Sequence, residues 1–143
     1  MRLQNRALTA TINFEPWPHL AQLLDDFESN RLIIIGKARQ IGVTWLIAGY
    51  SLWKAKFFQN AKVLIFSQTE EDAQGVISKV SFIDDHLPDW MHETRDPDAA
   101  GKVGFPATAS EIKAFPSTMK AGRGTDATIV VTDEAEYHEY VER

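Results

Sequence analysis

Apolar residues recur along the chain in two rhythms. In residues 19–29, Leu20, Leu23, Leu24 and Phe27 stand at i, i+3, i+4 and i+7, which puts one apolar stripe on a helix. Ser29-Asn30 ends that pattern. Residues 31–35 read Arg-Leu-Ile-Ile-Ile before Gly36, a β-branched run that predicts a buried strand. Residues 36–42 form a glycine-bounded loop. Residues 44–58 are apolar on nearly every side, from Trp45, Leu46 and Ile47 to Phe57 and Phe58, and predict a helix buried all round. Residues 62–66 predict a second strand. Thr69, with Asp72 three residues on, predicts a capped helix running to about residue 82. Residues 84–106 carry three of the six prolines and predict mostly loop with a short helical piece. Residues 111–115 alternate and predict a third strand; 116–126 form another glycine-bearing loop, and 127–132 a fourth strand. Strands interleaved with helices predict an α/β fold with a mainly parallel sheet and helices on both faces, a three-layer sandwich. Neither a repeat nor an internal boundary is visible. The chain reads as one domain, with a mixed lead-in and helix over 1–30 and a core over 31–143.

Composition narrows the function classes. The chain has 143 residues, 44% hydrophobic and 24% charged, the balance of a folded domain rather than a disordered one. It has no cysteine, which excludes disulfide scaffolds, thiol catalysis and cysteine-held zinc or iron–sulfur groups. No apolar run approaches the ~20 residues that span a bilayer, and no apolar signal segment follows Met1. Fifteen basic and 20 acidic residues give a net charge of −5. A stand-alone nucleic-acid binder advertises a basic surface, so any DNA contact here is expected to be local or shared between chains. His19, His86, His92 and His138 show no metal-ligand spacing.

The candidate chemistry lies at the ends of two predicted strands. A strand, a glycine-containing loop, a threonine and a helix form the layout of a phosphate-binding loop, whose backbone N–H groups and helix N-terminus cradle phosphates. Here it reads Lys37-Ala38-Arg39-Gln40-Ile41-Gly42-Val43-Thr44. Against the pattern G-x-x-x-x-G-K-[ST], Gly42 and Thr44 fit. Lys37 stands at the first glycine and Val43 at the lysine. Either Lys37 or Arg39 can supply the missing cation. The second element, residues 129–134, is an apolar strand ending in Asp133-Glu134, the Walker B arrangement. Ligands in open α/β sheets bind outside the carboxyl ends of the strands. The first acid suits Mg²⁺, as does the Thr44 hydroxyl, and the second suits activation of water.

Four stretches together resemble the ATPase domain of the large terminase subunit of tailed bacteriophages, the motor that packages viral DNA. They are Lys37 to Trp45, Val63 to Ala73 with its Ser-Gln-Thr turn, Ile112 to Thr118 running into Ala121-Gly-Arg-Gly124, and Ile129 to Ala135. Several terminases similarly place the loop lysine at its start. The resemblance covers roughly residues 14–140 and implies a P-loop NTPase fold with ATP and Mg²⁺ as cofactors. It implies that residues 37–44 hold the nucleotide, Thr44 and Asp133 the metal, and Glu134 the catalytic role. Arg123 resembles an arginine finger offered to a neighbouring subunit, and Gln22 an adenine-reading glutamine. The implied partners are double-stranded DNA, further copies in a ring, the small terminase subunit and the portal protein, in the bacterial cytoplasm and away from membrane. Such subunits continue past Walker B into a coupling motif and a nuclease domain. The chain is thus expected to be an N-terminal portion with an incomplete sheet. Gln68 and Thr69 are further candidates for sensing phosphate, although Thr69 reads better as a helix cap, and Trp90 and Met91 are candidates for facing a partner. Two other readings stay open. Residues 133–136, Asp-Glu-Ala-Glu, resemble a helicase box, although a helicase loop carries Gly-Lys-Thr. A non-catalytic prophage remnant would keep the fold without turnover.

Overall fold

The computed structural model of the chain describes residues 2–5, 10–13, 15, 17–37, 42–118 and 121–134. In the lead-in, β1 (Arg2–Asn5) and β2 (Ala10–Asn13) form a separate antiparallel hairpin. Helix α1 (Pro18–Ser29) follows, with proline in its first turn, where a missing N–H costs no hydrogen bond. Next come α2 (Val43–Phe57), β3 (Lys62–Ser67) and α3 (Glu70–Asp85). A 3₁₀ turn at Asp89–Met91 is the short helical piece expected there. The strands β4 (Asp98–Ala99), β5 (Lys102–Phe105), β6 (Ser110–Pro116) and β7 (Ile129–Thr132) complete the order.

The main sheet runs β4-β5-β6-β3-β7. β3 pairs in parallel with β6 and β7, while β4–β5 and β5–β6 are antiparallel. The sheet is therefore mixed, not mainly parallel. The antiparallel half arises in residues 98–105, expected to be mostly loop; strands of two and four residues are too short to establish a period.

The core occupies one face of that sheet. Val63 and Ile65 of β3, Ile112 and Ala114 of β6, and Val103 and Phe105 of β5 meet Ala48, Leu52 and Ala55 of α2 and Ala73, Val76, Ile77, Val80 and Ile83 of α3. Each large apolar side chain buried in this way contributes about 1.5–3 kcal/mol. Leu20 of α1 joins Val43, Leu46 and Ile47 in a second cluster, against which Ile35 and Val131 pack. Helices α2 and α3 thus lie on the same face of the sheet and α1 packs against α2, so no helix covers the other face among the described residues and the expected three-layer arrangement is not formed there. On the opposite face Phe66 and Phe115 stack at 5.8 Å. The chain returns from β6 to β7 over them, and Gly122 (φ 71°) sits so close to the Phe66 ring that a Cβ would lie 2.7 Å from it.

Two further expectations change. Residues 32–37 form no strand. Ile33 and Ile35 are partly buried, but Leu32 and Ile34 are 83% and 92% exposed. The run keeps the in–out alternation of a strand but pairs with no strand among the described residues. Helix α2 is buried on one side only: Trp53 and Phe57 reach solvent, where Lys54 lies over the rings of Trp53, Tyr50 and Phe58. The loop after α3 is tied down by charge. Lys56, 8% exposed, reaches Asp84 at 2.8 Å and Glu93 at 3.2 Å, and Arg95 reaches Asp85 and Asp98. Among the described residues no helix is long and apolar enough to cross a membrane.

Candidate phosphate site

The site forms where three distant segments end. Gly42 takes φ 81° and caps α2, its carbonyl accepting from the Leu46 N–H. A left-handed residue at this corner favours glycine, since any side chain there is strained. Thr44 therefore falls in the first turn of α2. Asp133 follows β7, and its N–H donates to the Phe66 carbonyl at 2.9 Å, extending the β3–β7 ladder by one residue. Lys37 ends the extended run that begins at residue 32.

The Asp133 carboxylate joins the other two. Its Oδ1 is 2.9 Å from Lys37 Nζ, and its Oδ2 accepts from Thr44 Oγ1 at 3.1 Å. Beside this junction lies a cleft of about 300 Å³. It is lined by Thr44, Ser67, Gln68, Asp133 and Glu134, together with Glu71, Asp72, Gly75, Val76 and Lys79 of α3. Glu134 takes φ 54°, a conformation uncommon outside glycine that concentrates at functional sites.

Each sequence candidate has a definite place. Lys37, Thr44 and Asp133 converge, and Glu134 lines the adjoining cleft. Ala38, Arg39, Gln40 and Ile41 lie outside the described residues, as do Ala135, Glu136 and His138. Val43 is buried in the α1–α2 cluster, so only its backbone is available to a ligand. Gln22 is exposed on α1 and Arg123 in the turn at 121–124, and neither lines the cleft. Thr69 caps α3: its Oγ1 accepts from the Asp72 N–H at 3.1 Å and donates to Asp72 Oδ2 at 2.7 Å. Gln68 lines the cleft. Trp90 is exposed and Met91 partly so. Ser67 is a lining residue to which the sequence assigned no role beyond opening the Ser-Gln-Thr turn at the end of an apolar strand.

The donors suit a hard cation. Asp133 and Thr44 offer a carboxylate and a hydroxyl oxygen. Mg²⁺ uses one or two such protein groups and takes its other positions from water and phosphate. No group of three or more His, Asp or Glu able to hold a metal occurs among the described residues. No protein-family model and no curated protein sequence matches the chain.

Proposed function

We propose that this chain is an ATP-binding and ATP-hydrolysing domain with a P-loop NTPase fold, from the large terminase subunit of a tailed bacteriophage. The observation that carries nucleotide binding is the convergence of Lys37, Thr44 and Asp133 on one carboxylate. The same three residues fall at the matching positions of the loop and strand-end patterns in the sequence. The terminase assignment is supported by the order of the four sequence stretches and by a loop that opens on its lysine.

Thr44 and Asp133 would hold Mg²⁺, which when bound neutralises phosphate charge. Lys37, which pairs with Asp133 in the structure, would be the side chain to hold the phosphates. Glu134 accepts a proton from water at the cleft. Positioning and charge neutralisation supply most of the catalysis in such reactions. Double-stranded DNA, a ring of copies, the small terminase subunit and the portal protein are the partners that this reading assigns to the motor. An Arg123 finger would act across subunits, consistent with its exposed turn outside its own cleft.

The test is nucleotide-dependent stabilisation of the chain and of Lys37→Ala. A ligand at ~100 times its Kd stabilises by ~2.7 kcal/mol. A shift in Tm that needs Mg²⁺, ATP and Lys37 together is the expected result. No shift in a chain that unfolds cooperatively would overturn the reading.

A further inference from the structure

Ser67 ends β3 at the cleft and is 2% exposed, and its hydroxyl has no hydrogen-bond partner among the described residues. Its carbonyl is satisfied by the Ser117 N–H at 2.8 Å, so the hydroxyl alone is left over. Buried hydroxyl groups nearly always have partners, and alanine would fill the same space without a polar cost. Phe66 is paired with Thr132 in register, which puts Ser67 level with Asp133 on the neighbouring strand.

Gln68 also lines the cleft but is exposed, and the other polar lining side chains are committed or of the wrong sign. The Thr44 hydroxyl donates to Asp133, and Lys79 Nζ donates to the Gly75 carbonyl. Glu71, Asp72, Asp133 and Glu134 bring negative charge to the same cleft. A phosphate entering it needs a neutral donor. Among the described residues, none before Thr44 lines the cleft. In the nucleotide-binding reading the reacting, terminal phosphate lies at Glu134, which lines the cleft together with Ser67. We propose that Ser67 Oγ donates a hydrogen bond to the terminal phosphate of the bound nucleotide, so that this residue distinguishes a nucleoside triphosphate from a diphosphate. The assignment rests on the nucleotide-binding reading given above.

The experiment is calorimetric binding of the β,γ-imido analogue of ATP, and of ADP, both with Mg²⁺, to the full chain, to Ser67→Ala and to Ser67→Gly. Thermal unfolding of each protein accompanies it. Both variants are expected to bind the analogue about tenfold or more weakly, the factor for losing one hydrogen bond to a charged group. ADP affinity is expected to stay as in the parent, and the Tm of Ser67→Ala to be no lower. Equal losses for the two ligands, or no loss for either, would overturn the assignment while leaving nucleotide binding intact. A folded parent that binds neither ligand would overturn both.

Discussion

Lys37 Nζ and Asp133 Oδ1 stand 2.9 Å apart, one at the start of a loop and the other just past the last strand of the sheet. Both side chains keep contact with solvent. Partly exposed pairs of this kind contribute only ~0–1 kcal/mol, so stability does not explain the contact. In the nucleotide-binding reading proposed above, Lys37 would compensate the Asp133 carboxylate until a metal ion took its place. Asp133→Asn is therefore expected to change the unfolding free energy by less than about 1 kcal/mol in urea. The Mg²⁺-dependent part of nucleotide stabilisation disappears in the same variant. Mg²⁺ dependence as strong as in the parent would rule out Asp133 as a metal ligand.

Glu134 lines the cleft without joining the Lys37–Asp133 ion pair. Glu134→Gln is expected to bind Mg²⁺-ATP with affinity close to that of the parent. Its turnover falls by roughly 10²–10⁴, the usual contribution of a positioned base. Phosphate release under single-turnover conditions separates the two effects. A variant that binds weakly but turns over normally would assign Glu134 to binding instead.

The Lys56–Asp84 pair is the opposite case from Lys37–Asp133, because Lys56 and Asp84 are only 8% and 5% exposed. Breaking such a pair leaves a buried charge behind, which costs about 3–5 kcal/mol. Arg95, whose Nη1 is 3.6 Å from Asp84 Oδ2, offsets part of that loss. Lys56→Met is expected to destabilise by about 3 kcal/mol in chemical denaturation. The double variant Lys56→Met/Asp84→Leu recovers much of the loss by removing both charges.

Glu111 lies on β6 with Lys113 Nζ at 2.6 Å and Lys102 Nζ at 3.0 Å. Burial pushes its carboxyl up, but hydrogen bonds and attraction from Lys113 and Lys102 outweigh that, and it sits below the ordinary 4.5. A carboxyl lowered in the folded state adds stability that is fully present above its unfolded value. That stability is lost as pH falls through the folded value. The parent is accordingly expected to be more stable than Glu111→Gln at neutral pH. The difference closes below about pH 4.5. Urea titrations of the two proteins across that range check the sign.

Much of this arrangement was legible in local pattern. The stripe of Leu20, Leu23, Leu24 and Phe27, the Thr69 cap and the alternation through 111–115 each mark an element that forms. Lys37, Thr44, Asp133 and Glu134 were legible because loop and strand-end motifs are short and local. The rest depends on long-range pairing. Residues 31–35 have strand composition, yet a strand exists only where a partner accepts its hydrogen bonds. Helices α2 and α3 share one face because the step from β3 to β6 and the return to β7 set their side, which no single segment encodes. The orphan hydroxyl of Ser67 is likewise a product of packing.

Among the described residues β7 is hydrogen-bonded to β3 on one side and pairs with no strand on the other, with Val130 58% exposed along it. Leu32 and Ile34 add apolar surface in an extended run. An open row of backbone donors and acceptors with β-branched side chains is a template for another strand. It makes the concentration at which this chain is handled a structural variable. Purified protein is expected to self-associate through this border as concentration rises. Val130→Lys, which puts a charge on the border, is expected to hold it monomeric in sedimentation velocity without loss of Tm.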